Sequence, residues 1–236
     1  MEKLRVADIN LNIEYKYDTM INQCEAYKCD FDKPNVTIEI TDETLEEMKN
    51  STPYLSYEDL EYIWTGAAFY EALLNFKGFM LHSSGIVKDG YAYLFSADSG
   101  TGKSTHTALW QKYFGNENAQ IINDDKPAIR IVDDKVYVYG TPWSGKTDQN
   151  LNMRVPIGAI VFLERSVGNN WVKQISVAEA IPLILEQTLR PKEKELMIKL
   201  LDILDVVLKN VRIFKIGVDM SEDAVITSYN GIKRED

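Results

Sequence analysis

From Ser56 onward, apolar residues fall at Leu60, Ile63, Trp64, Ala67, Ala68 and Leu74, the spacing of one face of an α-helix. Ser56 with Asp59 three positions later supplies a capping signal for its start. The pattern before this helix is different. "VADINLNIEY" (6–15) and "NVTIEI" (35–40) alternate apolar with polar positions and read as strands with one buried face, while "TDETLEEMKN" reads as a short acidic helix that Thr41 caps.

After Gly78, "FMLHSSGIVKDG" and "YAYLFSA" are two apolar runs joined at Lys88, Asp89 and Gly90, a hairpin signal because Asp-Gly accepts positive φ. "KSTHTALWQKYF" then predicts a helix that stops at Gly115, followed by the strand "IIN". The hairpin "AIRIVDDKVYVYG", the strand "IGAIVFLER" and helices over Val177–Leu189 and Lys192–Lys209 complete the reading. With no repeat, low-complexity tract or long linker, the expectation is one α/β domain over 1–236 with mixed strand directions. In it a β-rich region (1–55) packs on a core (56–236) and shares its sheet system.

Composition narrows the partners. At 236 residues with 45% hydrophobic and 26% charged positions, the chain buries a proper core. Its net charge of -10, without a Lys/Arg cluster, sets the electrostatic field against nucleic acid. No run approaches the roughly 18 apolar residues of a membrane span, and the N-terminus is charged where an export signal is apolar; no membrane partner and a cytoplasmic location are expected. Cys24 and Cys29 have no histidine neighbours to complete a zinc site and read as free thiols.

The chemistry concentrates in "ADSGTGKST", Ala97 to Thr105, between a strand and a helix. Gly100 and Gly102 let backbone N–H groups close around anionic oxygens, together with Asp98, Ser99, Thr101 and Thr105, and the helix aims its positive end at them. Lys103 is placed to reach the β- and γ-phosphates of ATP, and the Ser104 hydroxyl belongs on Mg²⁺. Ala97 stands where the usual pattern has its first glycine, so that position must take a conformation an L-residue accepts. Asp124 and Asp125 end the strand "IIN"; adjacent acids either open a solvated turn or supply the metal carboxylate and the hydroxyl-orienting group that phosphoryl transfer requires. In "GTPWSGK", Trp143 and Lys146 either touch nucleotide or substrate or form a hairpin turn with a packed Trp, and Arg154 either neutralises transferred charge or is a surface arginine. His106, inside the helix, reads as structural.

Together, "LHSSGI", "ADSGTGKST" and "NDD" resemble, in order and spacing, the catalytic core of HPr kinase/phosphorylase, a bacterial serine kinase related in fold to phosphoenolpyruvate carboxykinase. The match covers Leu81 to Arg130 well. The resemblance implies a P-loop core of that type, with Asp124 on Mg²⁺, Asp125 as general base and His82 as the active-site histidine. It implies ATP- and Mg²⁺-dependent transfer of the γ-phosphoryl group to a hydroxyl, such as a serine of a protein or peptide. The family's Arg-Gly-Leu-Gly segment is not recognisable. In its place "YGTPWSGKTDQNLNMRVPIGAIVFLER" resembles shorter HPr-kinase-like proteins, some linked to peptide modification, so HPr itself is not the expected acceptor. A catalytically idle nucleotide-binding module and a carboxykinase-like lyase are the competing readings. HPr kinases form hexamers; a small homo-oligomer or a monomer is the corresponding expectation here.

Overall fold

A computed structural model describes residues 1–234. The chain opens as a hairpin, β1 (Glu2–Val6) and β2 (Ile9–Ile13), followed by α1 (Asp18–Cys24), β3 (Val36–Ile38), α2 (Asp42–Ser51) and α3 (Tyr57–Leu73). The alternation over 6–15 is therefore not one strand. It starts in a turn at Ala7 and Asp8, with φ of 50° and 59°, that no glycine announces. α2 and α3 start where capping predicts: Thr41 Oγ1 accepts from the Thr44 N–H, and Ser56 and Asp59 form a reciprocal capping box.

The larger sheet is assembled from β4 (Gly78–Met80), β5 (Ser83–Lys88), β6 (Tyr91–Ser96), β7 (Gln120–Asn123), β8 (Ala128–Val132), β9 (Lys135–Tyr139) and β10 (Arg154–Arg165). It also takes in β11 (Trp171–Gln174) and β12 (Arg212–Val218). α4 (Lys103–Phe114) follows β6; α5 (Val177–Glu186) and α6 (Lys194–Asn210) lead to β12, and α7 (Glu222–Ile232) follows it. The main path runs β4-β8-β9-β10-β6-β5-β7, with β12 on β10 and β11 on β12. This is a mixed α/β fold, its curled sheet combining parallel β10–β6 and β10–β12 pairs with antiparallel neighbours. The pattern reading passes over β11, which lies just before α5, and stops at the helix of α6; β12 and α7 lie beyond it, and no helix was expected where α1 falls.

Alternation along the central strands assigns the two faces. Leu94, Ile160 and Phe162 join Ile184 of α5 and Leu204 of α6, while Phe95, Val161 and Ile216 join Trp110 of α4 and Val225 of α7. The N-terminal strands do not extend this sheet. They form a three-stranded one of their own, whose Leu4, Leu11 and Ile13 pack with Phe69 and Leu73 of α3 and with Tyr139 and Trp143.

Two features of the sheet position the site. The run "FMLHSSGIVKDG" splits at Leu81–His82 because β4 pairs with β8 whereas β5 pairs with β6 and β7, so His82 sits where the chain changes partners. β10 spans both halves: Arg154–Pro156 pair with β9, Ile157–Phe162 with β6, and Ala159–Arg165 with β12 on the other edge. The register shift falls at Gly158, where an added Cβ would stand 2.9 Å from Tyr93.

Candidate active site

β6 ends at Ser96 and α4 begins at Lys103, so residues 97–102 form the turn between them. Its positive φ values fall on Gly100 (77°) and Gly102 (123°), and Ala97 takes an ordinary conformation and is buried, which is how alanine is accepted there. Lys103 is buried and donates from Nζ to the carbonyls of Ala97 (2.8 Å) and Asp98 (3.4 Å). Burial lowers its pKa, while Asp125, Asp124 and Asp98 pull the other way. From the end of β10, Arg165 donates to the carbonyls of Gly100 (2.5 Å) and Thr101 (3.1 Å) and ties the turn down.

The acid pair is shaped by Asn123. Its Oδ1 accepts from the N–H groups of Asp125 (3.0 Å) and Lys126 (2.7 Å), and its Nδ2 donates to the Thr141 carbonyl (2.9 Å), which turns the chain sharply after β7. Asp124 is buried; Ser84 donates to its Oδ1 (2.5 Å) and Thr147 to its Oδ2 (2.7 Å). Asp125 carries the denser network. His82 Nε2 lies 3.2 Å from Oδ1, and Lys126 Nζ and Tyr62 Oη donate to Oδ2. Burial pushes its pKa up, but the His82 hydrogen bond and the Lys126 charge outweigh burial and bring it down to about 2.

His82 is fixed from both sides. Its backbone N–H donates to the Gln187 carbonyl (2.7 Å), and its Nδ1 lies 3.1 Å from Gln187 Oε1, while Gln187 Nε2 donates to Asp98 Oδ1 (2.9 Å). A continuous chain of contacts thus runs from Asp98 in the turn through Gln187 and His82 to Asp125. Over the acids lies the 140–153 loop. Gly145, at φ 73°, passes so close that an added Cβ would stand 2.9 Å from Asp125 Cβ, and its N–H donates to Tyr62 Oη (2.9 Å).

These parts enclose a cleft of about 420 Å³. Ser99, Gly100, Gly102, Lys103, Ser104 and Thr105 line it together with His82, Asp124, Asp125 and Lys146. Asp98 and Thr101 do not: Asp98 is engaged with Gln187, and Thr101 faces two smaller cavities. Trp143 is not at the site either. It is fully buried, stacked on Phe69 at 4.9 Å and donating to Thr65 Oγ1 (3.2 Å), so the packed-turn reading of "GTPWSGK" holds for the tryptophan. Arg154 binds Asp8 (3.2 Å) on the N-terminal hairpin, away from the cleft; the arginine beside the glycine-rich turn is Arg165. Lys126, Tyr62, Gln187 and Arg165 were missed by pattern. Of these only Lys126, directly after the acid pair, carries a local signal.

Among the described residues no group of three or more His, Cys, Asp or Glu side chains is placed to hold a metal by itself. The donor set instead suits a cation shared with a ligand. One carboxylate (Asp124) and one hydroxyl (Ser104) line the same cleft, which is the sparse oxygen set Mg²⁺ takes beside phosphates. Among the described residues no helix is long and apolar enough to cross a membrane.

No protein-family model matches the chain, and no curated protein matches it in sequence. Among solved structures, the Hpr(Ser) kinase/phosphatase from Coxiella burnetii is similar at a TM-score of 0.36 and 10% identity, over 62% of this chain and 89% of that one.

Proposed function

We propose that this protein is an ATP- and Mg²⁺-dependent kinase that transfers the γ-phosphoryl group to a hydroxyl, with serine of a protein or peptide as acceptor. The observation that carries this reading is the convergence of Lys103, Asp124 and Asp125 on the cleft formed by the glycine-rich turn. Phosphoryl transfer asks a protein chiefly for positioning and charge neutralisation, and these groups supply both. Lys103 exchanges its two loop carbonyls for phosphate oxygens. Ser104 and Asp124 would hold Mg²⁺, which adds charge neutralisation at the phosphates when bound.

Asp125, held by His82 and Lys126, accepts the hydrogen bond of the attacking hydroxyl. With a pKa of about 2 it is ionised across the physiological range and is a weak base, so it orients the hydroxyl and takes the proton late. That timing suits a loose transition state, in which little proton transfer is needed before the phosphoryl group has left ADP.

Calorimetric titration with a non-hydrolysable ATP analogue, with and without Mg²⁺, tests the reading. Magnesium-dependent binding that disappears in Lys103→Ala is the expected result. Unchanged affinity in that variant rejects the phosphate-binding assignment and the kinase with it.

A further inference from the structure

Asp125, Gly145 and Lys146 line a second cleft, of about 490 Å³, on the side away from the glycine-rich turn. Most of its remaining wall comes from α1 and α3, elements that precede the larger sheet in the chain, with Leu55 just before α3 and Asp148 of the 140–153 loop completing it. A group seated there meets the same Asp125 carboxylate that the nucleotide-side cleft presents. We infer that this second cleft receives the acceptor, and that it selects a peptide segment with a basic side chain beside its serine. The inference rests on the phosphotransfer reading above.

The walls specify the charge. Glu58, Asp59 and Asp148 line the cleft beside Asp125, whose charge Lys126 already pairs, and Lys146 is the one cation among the lining residues; carboxylates gathered on low-dielectric walls focus their field on the space between them. The protein's own hydrogen bonds leave much of this acceptor capacity unused. Thr19 donates twice to Glu58, both times to Oε1, and Ser56 donates twice to Asp59, both times to Oδ2. Among the described residues, Glu58 Oε2 and Asp59 Oδ1 have no hydrogen-bond partner, whereas both oxygens of Asp125 are engaged.

Gln23 braces Gly145, part of the wall that the two clefts share. It lines the cleft while only 6% exposed, its Nε2 holds the Gly145 carbonyl (3.1 Å), and its Oε1 has no hydrogen-bond partner. Leu55 and Ile63 add apolar surface, with Ile63 at 45% exposure, which suits the alkyl stem of an arginine or lysine whose head reaches the carboxylates.

The test separates acceptor binding from transfer. Fluorescence anisotropy would compare labelled peptides of one length, with alanine in place of serine and flanked by arginine, alanine or glutamate, on the full chain. The arginine-flanked peptide is expected to bind at least tenfold more tightly than the glutamate-flanked one, a gap that narrows in high salt. A Glu58→Gln/Asp148→Asn double variant keeps the shape and hydrogen-bond acceptors, so thermal melting should match the wild type while most of the tenfold preference is lost. Glu58→Gln alone gives a partial loss and serves if the double variant does not fold. Equal affinity for the basic and acidic peptides, no binding of either, or an undiminished preference in these variants overturns the inference. Nucleotide titration of the same proteins reports on the kinase reading separately.

Discussion

The cleft on one side of Asp125 is built around one glycine-rich turn and the helix start that follows it, and the cleft on the other side around single side chains scattered along the chain. The first draws on a six-residue turn whose glycines and helix start present N–H groups, tied down by Arg165 through two carbonyls. The second draws on single residues scattered from Thr19 to Asp148. Backbone N–H groups of such a turn suit phosphate oxygens, which differ little from one ligand to the next. A side-chain wall distinguishes among partners, and each of its residues is separately replaceable.

The largest expected effect lies at Asp125, one of the residues both clefts share. Asp125→Asn should leave nucleotide affinity intact and lower transfer by about 10²–10⁴-fold, the range for a positioned proton acceptor. Single-turnover assays on an arginine-flanked serine peptide would measure it, and retained transfer would mean that the two clefts do not meet at a functional carboxylate. In the wild type, Asp125 should contribute no acid limb above about pH 5, because its folded pKa is about 2. Next in size is the packing that holds the 140–153 loop between the clefts. Trp143→Ala removes a fully buried indole stacked on Phe69 and should cost about 3–5 kcal/mol in denaturant unfolding. A cost under about 1 kcal/mol would show that the loop does not depend on that anchor.

In α4, burial lowers the pKa of His106 to about 4, and its Nε2 accepts from Trp110 Nε1 (3.1 Å). A base whose folded pKa lies below its unfolded value of about 6.5 favours unfolding once the unfolded chain can protonate it. Stability is therefore full above about pH 6.5 and falls as the pH drops toward 4, by on the order of 3 kcal/mol. Melting curves across that window should flatten in His106→Gln, which still offers Trp110 an acceptor; an equally steep decline would assign the loss to other groups. The smallest effect belongs to Arg165→Ala, which frees the turn carbonyls at a cost of about 1 kcal/mol, or roughly fivefold in nucleotide affinity by calorimetry. Peptide binding should not change. A loss in both would show that the turn and the side-chain wall respond as one unit.

The same division governs how far the amino-acid pattern could be read. The turn, α4 and the acid pair were legible because backbone conformations that require glycine, and a helix start that requires a fixed lysine position, leave their mark within a few residues. Thr41 and Ser56 were legible for the same reason, since a cap and its partner lie three positions apart. Tyr62 and Gln187 were not, because Tyr62 reaches Asp125 across 63 positions and Gln187 reaches His82 across 105, and nothing local encodes either meeting. Trp143 was ambiguous by nature: an indole beside glycines serves a turn or a core equally well, and Phe69 and Thr65, which decide it, are far away in sequence. The Ala7–Asp8 turn escaped because positive φ there falls on residues that do not advertise it.

β10 has a mechanical consequence. It is a twelve-residue tie rod, about 40 Å long at roughly 3.3 Å per residue, leaving the 140–153 loop at one end and ending in the arginine that grips the turn at the other. Hydrogen-bonded to neighbours along its length, it does not stretch, so the spacing between the two loops is a fixed gauge and opening can come only from rotation about its ends. The gauge also resists change over evolutionary time. One residue inserted between Met153 and Arg165 would reverse which side chains face α4 and which face α6, so drift in length is confined to the loops themselves.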